Sequence, residues 1–215
     1  MGETIIRTAT IKDICQIAVI HKSQFSTHFL GHYSIGLIEK YYLNFLEACI
    51  FLVSESSGTI NGFVLGGRSK ELNRAKNNFI ENNKLRYILE TIFRPKIYIQ
   101  ALKRIKSVGV IRESASSPVQ GSFSLLSIAI MNELAGSGIA VKLVQEFEHR
   151  LSPISEYSLY VRKTNKRAIN FYYKNGFKLV KDSNDCLHLI KKIVVPKISK
   201  EETTGTPFHR HLASY

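Results

Sequence analysis

The chain has 215 residues, 44% hydrophobic and 22% charged, which are globular values and enough length for one domain with a sizeable core. No apolar run approaches the roughly 18 residues that span a bilayer, and the first residues, Met1 to Asp13, lack the basic and apolar regions of a secretion signal, so a cytoplasmic protein is expected. The net charge of +13 suits a nucleic acid, an anionic cofactor or an anionic membrane surface, so its location along the chain has to decide.

The first stretch, Thr4 to Arg7, reads as a short strand. Thr10 and Asp13 have capping-box spacing, and Ile14, Ile17, Ala18 and His21 continue a helical face. After a polar and aromatic stretch, Ser34 is placed to cap a second helix with Leu37, Ile38, Tyr41, Tyr42 and Phe45 on its apolar face. Cys49 to Val53 and Ile60 to Leu65 read as two strands of a hairpin around the turn Glu55 to Gly58.

About fifty-five residues, Arg68 to Gly121, then separate the hairpin from the next strand, too many for a bare loop in a compact domain. Leu72, Phe79, Leu85, Ile88, Leu89 and Ile92, then Pro95 as a helix start with Ile97, Ile99, Leu102 and Ile105, predict two or three amphipathic helices. Arg112 to Gln120 reads as a polar connection. Arg68 to Lys106 holds eleven Lys or Arg and three Glu, so about +8 of the net charge sits in this insertion. Three readings stand: an extra layer with solvated cations, a wall shaping a binding site, or a docking surface for anionic membrane or nucleic acid. The aromatics Phe79, Tyr87, Phe93 and Tyr98 are spaced like core residues, which disfavours base-stacking platforms and a nucleic-acid partner.

The stretch Leu125 to Arg150 organises the rest. An apolar strand to Met131 meets the polar turn Asn132-Glu133-Leu134, then Gly136-Ser137-Gly138, then a helical pattern of Ile139, Val141, Leu143, Val144 and Phe147. Glycines let backbone pass close to a bulky anion, and the first-turn N–H groups with the helix dipole favour negative charge. The alternative is an ordinary strand-to-helix turn. Beyond it, Tyr157 to Val161 reads as a strand, Asn165 to Lys174 as a helix stopped at Gly176, and Phe177 to Val180 and Leu187 to Val195 as closing strands. Pro196 to Tyr215 loses periodicity and is expected to be a tail beyond a single domain of residues 1–195.

Two motifs carry a family resemblance. Ala135-Gly136-Ser137-Gly138-Ile139-Ala140 matches Arg/Gln-x-x-Gly-x-Gly/Ala except at its first position. Asn165, Ala168, Tyr172, Gly176 and Phe177 complete Asn-x-x-Ala-x-x-x-Tyr-x-x-x-Gly-Phe. Together they resemble the GNAT superfamily of acyl-CoA N-acyltransferases, specifically over Phe123 to Val180. The resemblance implies an α/β fold: a mixed, twisted central sheet flanked by helices, here with a basic helical insertion between the third and fourth strands. It also implies acetyl-CoA as cosubstrate. Backbone amides from Ala135 through Gly136, Ser137, Gly138, Ile139 and Ala140 would hold the pyrophosphate. Ile128, Ala129 and Ile130 would offer main chain to the pantetheine arm and the thioester oxygen. Asn165 would contact the cofactor, and Tyr172 would be the general acid for the departing thiolate. By residue type alone, Asn165 reads equally as a helix N-cap and Tyr172 as a core aromatic.

The expected activity is acetyl-CoA-dependent N-acetylation of a small-molecule amine by direct attack. An amino sugar, free or nucleotide-linked, is the first choice, with polyamine, antibiotic or amino acid behind it. No base is assigned. Tyr160 stands where related protein N-terminal acetyltransferases often carry Glu, and Glu133, His28 and His32 remain candidates. Cys15, Cys49 and Cys186 lie outside the motifs, which disfavours a cysteine-bound intermediate, and neither they nor the scattered histidines have metal spacing, so no metal is expected. A monomer or homodimer is expected. The rival readings are a non-catalytic acyl-CoA sensor and a nucleic-acid or membrane-surface module built on the insertion.

Overall fold

The computed structural model describes residues 3–26, 28–92 and 122–193. The helices expected from Pro95 to Ile105, the polar connection Arg112 to Gln120 and the tail from Pro196 lie outside them.

Strand β1 (Ile5–Thr8) leads into a short 3-10 turn (Ile11–Asp13) and helix α1 (Ile14–Gln24). The Asp13 carboxylate takes the Thr10 N–H at 2.7 Å, the Thr10 hydroxyl at 2.9 Å and both Arg7 terminal nitrogens at 2.7 and 2.8 Å. Thr10 and Asp13 form the capping box that their spacing predicts, and the Thr10 hydroxyl also contacts the Asp13 carboxylate. Arg7 also reaches Glu55, which ties the start of α1 to the hairpin. Helix α2 (Ile35–Leu43) begins at Ser34, whose hydroxyl accepts the Leu37 N–H at 3.3 Å.

Strands β2 (Ile50–Ser56) and β3 (Thr59–Arg68) form a hairpin closed by Ser57 and Gly58, with φ of 49° and 77°. Two consecutive left-handed residues match the twist of the strands they join. β3 runs past Leu65 because Gly66 and Gly67 continue the ladder opposite Leu125 and Ser124, although they bring no apolar side chain. Helices α3 (Ser69–Asn82) and α4 (Lys84–Ile92) follow in the insertion. Leu72, Ala75 and Phe79 bury one stripe of α3. The remaining elements are β4 (Phe123–Ile130), α5 (Ile139–Leu151), β5 (Glu156–Arg162), α6 (Lys166–Lys174), β6 (Lys178–Asp182) and β7 (Cys186–Lys192).

The seven strands form one sheet in the order β1-β2-β3-β4-β5-β7-β6. Neighbours are antiparallel except β4 and β5, which are parallel. Helices cover both faces. One core contains Ile17, Leu37, Tyr42, Phe45 and Phe63 with α3 residues, and the other contains Leu143, Phe147, Tyr157, Leu159 and Phe177. Alternate residues of β3 serve the two cores, Phe63 and Leu65 on one face and Val64 on the other, as the two-residue strand period requires.

Candidate active site

Strands β4 and β5 touch at one place. Ser124 pairs with Ser158, their hydroxyls 3.4 Å apart, and no further pair follows. Ile128, Ala129 and Ile130 keep their partners on β3, namely Val64, Phe63 and Gly62, while their edge toward β5 stays open. A register shift at Leu65/Gly66, which leaves Leu126 without a partner in β3, falls at the start of this stretch. The opened edge lines a cavity of about 1050 Å³. Unpaired strand amides and carbonyls beside a cavity are ready to pair with an extended ligand.

The glycine turn closes one end of the gap. Ala135 N–H donates to Asn132 O at 3.0 Å and Ser137 N–H to Leu134 O at 3.1 Å, so two of the six expected amides are committed within the loop. Gly136 and Gly138 adopt φ of 83° and 82°, the left-handed region. Ile139 is a core residue, and its N–H faces the Ser137 hydroxyl at 3.5 Å. The amides of Gly136, Gly138, Ala140 and Val141 have no acceptor among the described residues, and these four residues line the cavity. Val141 was not among the expected contacts; a fourth residue of the helical turn follows directly from the orphan amides of a helix N-terminus. They stand at the start of the 13-residue α5, where unpaired amides and the helix dipole together favour negative charge.

Asn165 caps α6, its Oδ1 accepting the Ala168 N–H at 3.1 Å, and it also stands on the cavity wall. Tyr172 faces the same cavity from α6. Its ring packs edge-on against Phe177 at 5.3 Å and is only 7% exposed, so it is a core aromatic and a wall residue at once. Burial pushes its phenol well above the ordinary tyrosine value, so it keeps its proton at neutral pH.

The far side of the cavity lies among α1, the following loop, α2, α3 and α4. His28 is on this wall; His32 and Glu133 are not. Two residues here went unnoticed in the sequence as site residues. His21 hydrogen-bonds Tyr42 Oη through Nδ1 at 2.7 Å, its Nε2 is buried without a partner among the described residues, and burial lowers the imidazole to about 3. Lys76 reaches the wall from α3, half-buried, and desolvation lowers its ammonium.

Among the described residues no group of three or more His, Cys, Asp or Glu could hold a metal ion, and no helix is long and apolar enough to cross a membrane. A mixed sheet that parts between two parallel strands, with a glycine turn and helix N-terminus at the gap, is the architecture of an acyl-CoA-dependent acyltransferase. The family model described as acetyltransferase (GNAT) family matches residues 20–177, and the chain belongs to that family. Its activity is acetyl-CoA-dependent N-acetylation.

Solved structures agree on the fold. Ard1 from Thermoplasma volcanium is 18% identical with a TM-score of 0.55, over 89% of this chain and 99% of that one. The PaiA N-acetyltransferase from Thermoplasma acidophilum, in complex with coenzyme A, is 19% identical with a TM-score of 0.52, over 89% and 99%. An N-acetyltransferase from Staphylococcus aureus Mu50 is 19% identical with a TM-score of 0.59, over 86% and 99%. Comparison with curated proteins gives no match.

Proposed function

We propose that the chain transfers the acetyl group of acetyl-CoA to the primary amine of a small molecule by direct attack in a ternary complex, in the cytoplasm. The supporting observation is one continuous cavity that joins the free amides of the glycine turn, the open edge of β4, Tyr172 and a chamber among α1 to α4. Gly136, Gly138, Ala140 and Val141 hold the pyrophosphate through N–H groups, with Arg162 and Arg167 on the same wall as counter-charges. Ile128, Ala129 and Ile130 pair their open main chain with the pantetheine arm, and an amide there polarises the thioester carbonyl. Asn165 fixes the start of α6, which carries Tyr172. The Tyr172 phenol donates to the sulfur as the C–S bond breaks, so the thiolate never leaves as an unpaired buried charge.

His21 is too weakly basic to remove an ammonium proton, because burial holds it near 3. With no base assigned on the protein, an amine that loses its proton to water or arrives neutral can attack directly. An amino sugar remains the first choice of acceptor. The direct test is release of free thiol from acetyl-CoA with a panel of primary amines, beside calorimetric titration with acetyl-CoA. Tight acetyl-CoA binding with no thiol release from any amine would favour a non-catalytic acyl-CoA sensor instead.

A further inference from the structure

We propose that Lys76 receives an anionic group, a carboxylate or phosphate, carried by the acceptor amine. This deepens the acetyltransferase reading and rests on it. Lys76 sits at the edge of the buried stripe of α3, one residue after Ala75 and one turn after Leu72. Lys76 is thereby brought onto the cavity wall with Phe79, whose ring meets Tyr41 at 5.3 Å. Among the described residues it has no hydrogen-bond or ion-pair partner. Cys49 interacts with it electrostatically, and burial pushes that thiol up to about 11 and so keeps it neutral.

A half-buried cation without a counter-charge loses solvation and gains nothing in return. An anion arriving from solution would repay that loss. The rest of the wall points the same way. Not one Asp or Glu among the described residues lines the cavity, so nothing there would hold a second cationic centre of a polyamine or an amino-glycoside antibiotic. The aromatic surroundings suit an apolar or sugar-ring body between the anion and the amine. The insertion's basic composition would then include one charge with a role in the site, which supports its reading as a wall of the acceptor chamber.

The test compares matched amines: glucosamine 6-phosphate against glucosamine, phenylalanine against phenylalaninamide, and spermidine as a polycation. Thiol release gives kcat/KM for each, with wild type, Lys76→Met and Lys76→Arg. The expected result is an advantage of about tenfold or more for at least one anionic member. That advantage, mostly in KM, is lost in Lys76→Met and kept in Lys76→Arg. The sugar pair and the amino-acid pair separate phosphate from carboxylate. Neutral amines or spermidine turned over as well as the anionic members would overturn the proposal, as would a Lys76→Met effect equal on both members of a pair. If no amine is acetylated, calorimetry of the same pairs on CoA-loaded protein decides, and absence of any anion preference sinks the proposal. Failure to bind acetyl-CoA would instead count against the acetyltransferase reading. The anion preference is then read by titrating the protein alone.

Discussion

His21 Nδ1 and Tyr42 Oη lie 2.7 Å apart in the core between α1 and α2, and the other ring nitrogen of His21 has no partner among the described residues. Burial, reinforced by the positive charges of His28 and Lys22, lowers the imidazole from 6.5 to about 3. The unfolded chain therefore takes up a proton near pH 6.5 that the native protein refuses until about pH 3. Stability is complete above that window, falls as pH drops through it, and levels off below. The slope is up to about 1.4 kcal/mol per pH unit for one proton. Thermal midpoints measured from pH 7.5 to 4.5 should fall in the wild type and fall less steeply in His21→Gln. Parallel curves for the two proteins would show that His21 titrates normally.

The glycine turn separates backbone conformation from bulk. Added side-chain atoms at Gly136 or Gly138 meet nothing within 4 Å, yet both residues have φ above 80°. Gly138→Ala should cost about 1–2 kcal/mol through the left-handed backbone alone and weaken acetyl-CoA binding as the loop relaxes. Gly138→Asn, a residue that tolerates this region, should bind more tightly than the alanine variant despite its larger side chain. Calorimetry with acetyl-CoA checks the order. Alanine binding better than asparagine would mean that crowding, not conformation, limits the turn.

What could be read from residues alone divides along physical lines. Glycine at forced left-handed positions and apolar residues at helical spacing are local signals, so Gly136, Gly138 and the helix from Ile139 were legible. The open edge at Ile128 to Ile130 was not visible in the residues, since an apolar strand looks the same whether or not its neighbour diverges; only the family resemblance pointed there. Lys76 and His21 were missed for a related reason. His21 lies within the buried stripe of α1 and Lys76 beside that of α3, and the packing of several helices decides whether such a residue meets solvent, core or cavity. The apolar pattern ends at Leu65 while β3 continues, because Gly66 and Gly67 pair in the ladder but carry no pattern. Residue type reads Asn165 as a cap and Tyr172 as a core aromatic, and the structure shows the cap and the buried ring, with both residues on the cavity wall.

Asp13 anchors the first strand to α1 through Arg7 and Thr10, and those bonds lower its carboxyl from 3.8 to about 2 against the opposing effect of burial. A depressed acid contributes stability above its ordinary value and loses it as pH falls toward its native one. Asp13→Asn should therefore lower stability at neutral pH by about 1–2 kcal/mol, a figure kept small because Arg7 is partly exposed and keeps Glu55. It should also remove part of the wild-type loss between pH 4 and 2. Urea unfolding at pH 7 and pH 3 checks both signs: the gap between wild type and variant should shrink at the lower pH.

Tyr172 supplies the sharpest test of chemistry because its ring and its hydroxyl do different things. The ring packs against Phe171 and Phe177, so Tyr172→Phe keeps the packing and removes only the proton donor. Loss of a positioned general acid typically costs about 10²–10⁴-fold. The expected outcome is a fall of that order in kcat, with acetyl-CoA affinity and thermal midpoint close to wild type. Because burial raises the phenol, the acidic form persists well past pH 9, so its deprotonation should not limit the wild-type rate at moderately alkaline pH. An unchanged kcat in Tyr172→Phe would return Tyr172 to a purely structural role. The thiolate would then be left to solvent or to the open amides of β4.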